Sequence, residues 1–170
     1  MDWTILSNLG STIAVIAGVI FAVVQLRQFR INRERDAALE LVHSYQTPAF
    51  ARALIVLFKL PDGLDKKSID GLDGADLQCL YAMMITFENL GVLVCRGEVS
   101  LELVDDLYSG PITLAWRKLG AYVLDMRKDL ARETVWEWFQ WLAERMMERE
   151  TASAPVPAHE AFRDWKPPRK

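Results

Sequence analysis

The pattern of apolar and polar positions divides the chain at Leu26. From Trp3 to Leu26, WTILSNLGSTIAVIAGVIFAVVQL, twenty-four residues pass without an Asp, Glu, Lys, Arg or His, and twelve of them are Ile, Leu, Val or Phe. At about 1.5 Å per residue such a helix reaches roughly 36 Å, enough to cross a hydrocarbon core of about 30 Å. The polar residues Ser7, Asn8 and Gln25 sit towards its ends. A buried helix of a soluble protein wants a polar face or a shorter run, so the pattern predicts a transmembrane anchor over residues 1–26. A cleaved signal peptide fits less well, because no basic residue precedes the run and no small-residue cleavage site follows it.

After Leu26 the apolar positions recur at three- and four-residue spacing almost to the end, which predicts helices throughout. Arg27 to Tyr45 reads as a continuation of the anchor helix, with Ala37, Ala38, Leu41, Val42 and Tyr45 in register. Pro48 favours a break, and a shorter helix follows to about Leu60 with Phe50, Leu54, Leu57 and Phe58 inward. Pro61 to Asp76 reads as a loop. Ala75 to Val94 is apolar nearly all round, and Glu88 and Asn89 near its middle mark it as the centre of a bundle rather than a second span. Ser100 is a good N-cap for a helix that Gly110 and Pro111 then interrupt. Two more helices are expected, about Ile112–Arg127 and about Arg132–Arg149. The fold class is all-α: one N-terminal transmembrane helix continuing into a cytoplasmic helical bundle of about five helices over residues 27–150. A Pro-rich extended tail, residues 151–170, completes the chain.

Charge orients this arrangement. No Lys or Arg precedes Arg27, whereas Arg27, Arg30, Arg33 and Arg35 follow the apolar run at once. The excess of basic residues puts the carboxyl side in the cytoplasm, with those arginines at the membrane face among lipid headgroups. Residues 36–170 hold sixteen Lys and Arg against twenty-one Asp and Glu. That acidic balance argues against nucleic acid, which demands a concentrated basic face. Cys79 and Cys95 lie sixteen positions apart on one expected helix, too far along its axis to pair, which suits a reducing compartment.

Within the apolar run, Gly10, Ala14, Gly18 and Ala22 repeat every fourth residue. Small residues in a row let two membrane helices approach closely, so this face is expected to contact a membrane-protein partner or a second copy of the chain. Three tryptophans in six positions, Trp136, Trp138 and Trp141, cannot all face one core. One or two are expected at the surface, with Trp138 and Trp141 as docking residues. The tail adds Phe162 and Trp165 as anchors, beside Lys166, Arg169 and Lys170 that would meet an acidic surface or the membrane face.

Candidate chemistry changes little. The five aspartates of the Pro61–Asp76 loop do not have calcium-loop spacing and no Glu closes them. Asp73 reads instead as an N-cap, with Asp76 in the first helical turn. Glu40 and His43 share the spacing used by di-iron bundles, but the second pair and the further carboxylates are missing. No phosphate-binding glycine loop, nucleophile elbow or paired-cysteine zinc pattern occurs. No cofactor and no metal is expected. Glu88 is the polar residue of greatest interest, expected in a buried network with Arg117 or Arg127.

The segment FENLGVLVCRGEVSLELVDDLYSGPITLAW, Phe87 to Trp116, behind an apolar run and an Arg-rich helix, resembles an uncharacterised family of single-span bacterial membrane proteins. That family is catalogued as a domain of unknown function, and the resemblance covers roughly residues 5–148. It implies an N-terminal anchor in the bacterial inner membrane and a helical cytoplasmic domain, with no assigned activity. The expected function is that of a non-enzymatic accessory or scaffold protein associating with a larger membrane complex. The alternative is a membrane-tethered sensor or enzyme with a small-molecule site around Glu88 or His43.

Overall fold

The computed structural model describes residues 3–167, with the α1 side chains at 15–29, 36, 39–43 and 45. Those residues are helical without strands, in the order α1 (Trp3–Tyr45), α2 (Pro48–Lys59), α3 (Lys66–Asp70), α4 (Gly74–Cys95), α5 (Leu101–Leu130), α6 (Glu137–Ala152) and α7 (Ala158–Ala161). The chain forms two compact units, residues 1–46 and 47–170. The second unit begins at Thr47, after α1 has run unbroken to Tyr45.

In the first unit, every described side chain from Val15 to Phe29 is exposed, although most of them are large and apolar. Of the stripe predicted further along α1, Leu41 and Tyr45 are buried and Val42 is half-buried.

The second unit is built on α4. Among the described residues it is the one helix long and apolar enough to cross a membrane. It lies at the centre of the bundle, between α2 and α6, and buries Leu80, Met83, Met84, Phe87, Leu90 and Gly91. Four rings tie the elements together: Phe50 meets Phe87 edge-on at 6.1 Å, Phe87 stacks on Phe139 at 5.5 Å, and Trp116 meets Phe139 edge-on at 5.3 Å. Through them α2, α4, α6 and α5 share one core, each ring contact worth about 0.5–1.5 kcal/mol beyond its buried area.

Local capping explains where most helices start. Thr47 accepts from the Phe50 amide at 3.1 Å ahead of Pro48, Asp73 from the Ala75 amide at 3.1 Å, and Ser100 from the Leu103 amide at 3.2 Å. Each satisfies an amide that the helix itself leaves orphaned. Asp76 occupies the first turn of α4, as its sequence position suggests, and also pairs with Arg52 of α2 at 2.7 Å.

Three expectations are corrected. The helices expected on either side of Gly110–Pro111 are one helix, α5, with Pro111 inside it. A proline there removes one ladder hydrogen bond and crowds the carbonyl four residues back, costing about 3 kcal/mol. Val104, Tyr108, Ile112, Ala115, Leu119 and Val123 are buried in one unbroken register across the proline, and that continuous burial outweighs the local penalty. Gly110 eases it further, since the clash of a proline with the preceding residue's Cβ does not arise.

The Pro61–Asp76 loop contains a short helix, α3, capped by Asp65 and seated by the buried Ile69. Its aspartates are dispersed: Asp62 meets Arg117 at 3.2 Å and Lys118 at 2.5 Å, and Lys118 also donates to the Leu60 carbonyl at 2.5 Å. The Lys118 ammonium holds the Asp62 carboxyl below its usual range. Finally, Phe58, expected inward on α2, is 73% exposed, because the buried stripe is Phe50, Ala53, Val56 and Leu57.

Candidate functional site

The motif Phe87-Glu88-Asn89-Leu90-Gly91 drew attention in the sequence, and the structure shows what it builds: the seat of α6. The last helix begins at Glu137 and not near Arg132, because residues 131–136 turn the chain between α5 and α6. Ala131 and Trp136 both take left-handed backbone, at φ 47° and 56°. Such conformations cost a non-glycine residue roughly 1–2 kcal/mol. The turn is therefore held by contacts from elsewhere.

Two side chains supply them. Trp136 stands at the N-cap of α6 and offers no capping side chain. Glu88 of α4 takes over that task, its carboxylate accepting from the Phe139 amide at 2.8 Å. This is the third-residue amide that a Ser or Asp N-cap would satisfy from within the helix, and the negative charge suits the helix N-terminus. Arg127, 7% exposed, sits in the last turn of α5. It donates to the Val135 carbonyl at 2.8 Å, the Trp136 carbonyl at 3.3 Å and the Gln140 Oε1 at 2.6 Å. A planar guanidinium spreads over three acceptors, and its charge favours the carboxyl end of α5.

Gly91, one turn beyond Glu88, sets the spacing. A Cβ there would overlap the Trp138 carbonyl oxygen and lie 2.9 Å from its carbonyl carbon. The two backbones therefore meet directly, which only glycine permits.

The expected pairing of Glu88 with Arg117 or Arg127 does not occur among the described residues: Arg117 pairs with Asp62, and Arg127 serves the α5–α6 turn. The half-buried Glu88 and the buried Arg127 found backbone partners instead, because the helix start and the turn present orphaned amides and carbonyls there. Replacing Glu88 by alanine is expected to cost about 1–3 kcal/mol, the penalty of leaving a part-buried amide without an acceptor. Glu88→Gln keeps an acceptor and is expected to cost under about 1 kcal/mol. Urea unfolding of the two variants side by side checks this; equal losses would show that charge, not acceptance, matters.

The remaining sequence candidates are scattered. Trp136, Trp138 and Trp141 are all half-buried, so none is exposed as expected. Trp138 meets Trp141 edge-on at 6.1 Å and Arg145 lies 5.7 Å over the Trp141 ring, so these pack laterally along α6, while Trp136 meets Tyr81 of α4 at 6.1 Å. Phe162 and Trp165 are 64% and 63% exposed. His43 and Glu40 are exposed on α1. Ala22 and Arg27 are exposed too, and a Cβ on Gly18 meets nothing within 4 Å. The side chains of Ala14, Arg30, Arg33 and Arg35 and the surroundings of Gly10 lie outside those described. Among the described residues no group of three or more His, Cys, Asp or Glu is arranged to hold a metal.

One polar cluster escaped the sequence reading. Tyr81 and Tyr122 share a hydrogen bond of 2.5 Å, and Tyr122 donates to Asp70 at 3.3 Å. Burial drives the Tyr122 hydroxyl well above its ordinary pKa, so it stays a neutral donor. Beside it Lys66 pairs with Asp129 at 2.5 Å. The cluster fastens α3 to α4 and α5. Nothing in the spacing of these residues announces it, since they stand 41 and 52 positions apart.

The arrangement is thus one of helix docking: the motif residues bind backbone of their own chain, and the chemistry they perform is that of caps and close contact. No curated protein and no solved structure matches the chain. Residues 12–146, which include the Phe87–Gly91 seat and the α6 turn, match the family described as Domain of unknown function (DUF4760), and the chain belongs to that family.

Proposed function

We propose that this protein is a non-enzymatic accessory or scaffold protein of the bacterial inner membrane. It is anchored by the first part of α1, with the N-terminus outside and residues 47–170 in the cytoplasm. It associates with a larger membrane assembly, or with its own copies, through the face that carries Gly10, Ala14, Gly18 and Ala22. The observation that carries this reading is the unbroken exposure of residues 15–29, where Val15, Ile16, Val19, Ile20, Phe21, Val23, Val24, Leu26 and Phe29 are all solvent-facing in the isolated chain. An apolar helix exposed all round costs too much in water to be left so, and lipid removes that cost. The arginines from Arg27 onward then lie among anionic headgroups, each contributing about 1 kcal/mol.

Two further observations support it. Glu88, half-buried, and Arg127, buried, polar groups that an enzyme would put to work, are committed to the α6 seat. On the domain, Ile55 and Phe58 of α2 are 55% and 73% exposed, three positions apart, an apolar surface suited to a protein partner.

Native mass spectrometry of the protein extracted in mild detergent tests the reading. The wild type is expected within a larger complex, and the double change Ala14→Leu, Gly18→Leu is expected to reduce that complex at least tenfold while leaving membrane retention unchanged. Emergence of the wild type as a lone monomer would end the accessory reading, and release by an alkaline carbonate wash would end the anchor.

A further inference from the structure

The tail beyond α6 differs in charge and in exposure from the domain it follows. Residues 36–150 hold twelve Lys and Arg against nineteen Asp and Glu, whereas residues 151–170 hold Arg163, Lys166, Arg169 and Lys170 against Glu160 and Asp164. An acidic domain attracts a basic tail, and Phe162 and Trp165 would gain by burial on it. Yet residues 151–167 are exposed throughout, and both rings are about two-thirds exposed. The Trp165 amide donates to the Phe162 carbonyl at 3.0 Å, closing a turn that carries both rings. The chain has built an aromatic pair flanked by cations and left it open.

We propose that this segment, through Phe162, Arg163, Trp165 and Lys166, binds the anionic lipid surface of the same membrane that holds α1; the proposal rests on the anchor reading above. Aromatic rings seat at the headgroup level while Lys and Arg meet anionic headgroups, and these are the two chemistries the tail combines. The tail follows α1 on the side marked by Arg27, where anionic lipid is expected. A protein partner, including the acidic domain of a second copy, is the competing occupant.

The full chain, reconstituted in nanodiscs of neutral lipid or of neutral lipid with phosphatidylglycerol, decides between them. Trypsin cleavage after Arg163 is followed by intact mass, with cleavage after the exposed Arg132 as internal reference. Cleavage at Arg163 is expected to slow at least fivefold in anionic discs, and to recover in high salt and in the double variant Phe162→Ser, Trp165→Ser. Both positions are exposed, so the variant leaves the fold intact. Equal cleavage in both discs would overturn the proposal, as would protection in neutral discs that rises with protein concentration, which would assign the tail to a second copy. A chain that fails to enter the discs refutes the anchor reading instead.

Discussion

Replacing Gly91 by valine is expected to lower the stability of the helical domain by about 3 kcal/mol or more, among the largest losses available from one position. The added carbons meet the Trp138 backbone and not the end of a flexible side chain. No rotamer change relieves that overlap, so α6 must move away from α4. Overpacking of this kind typically costs about 1–3 kcal/mol, and more where backbone must yield. The displacement also loosens the Glu88 bond to the Phe139 amide and the stacking of Phe87 on Phe139, since both cross the same seam. Urea unfolding in mild detergent, followed by tryptophan emission, should show a midpoint lower by about 1.5 M if the slope is about 2 kcal/mol per molar. Gly74→Ala is the control: a Cβ there meets nothing within 4 Å, and a small gain of about 0.4–1 kcal/mol is expected. A Gly91→Val protein with an unchanged midpoint would mean that α4 and α6 do not meet at this distance.

Arg127→Met is expected to cost about 3 kcal/mol. Methionine fills much of the space, so the loss is chiefly of hydrogen bonds from a charged donor, each worth about 1.5–3 kcal/mol. Relief from burying an arginine without a carboxylate returns part of that sum. The Val135 carbonyl loses its guanidinium donor, and the left-handed backbone at Trp136 loses the contact that holds it. Arg127→Lys should fall between, because a single ammonium cannot span three acceptors. Amide exchange across residues 137–141 reads the effect directly: opening of the first turn of α6 should become at least about thirtyfold more frequent, the equivalent of some 2 kcal/mol at 298 K. Unaltered exchange would show that the turn holds itself.

Both variants bear on function through the same seam. Under the proposed scaffold role, surfaces are presented by keeping the helices fixed, so freeing α6 is expected to weaken association without touching the exposed α2 residues or the small-residue face of α1. The Phe87–Gly91 motif lies within the family match and is explained by docking, with one ring, one carboxylate and one glycine each making a separate contact to α6.

What the sequence determined by itself was the local part. Helical period, the caps at Asp73 and Ser100, and the continuous helix from the apolar run to Tyr45 are legible because each depends on residues within about four positions of one another. The importance of Glu88 was legible too, since a carboxylate in an apolar helix must find a partner. Only the tertiary structure decided which partner. The Phe139 amide lies fifty-one residues away, and it wanted an acceptor because Trp136 provides no cap. The same reason accounts for the other departures. Pro111 reads as a break to local rules, and a buried register extending over both halves of α5 overrides it; Phe58 reads as inward from its spacing, and the choice of which face α2 turns to α4 belongs to the partner. Local geometry is set by the chain's short-range sterics and hydrogen bonds, whereas the fate of a buried polar group or a helix face is set by whatever surface arrives from elsewhere.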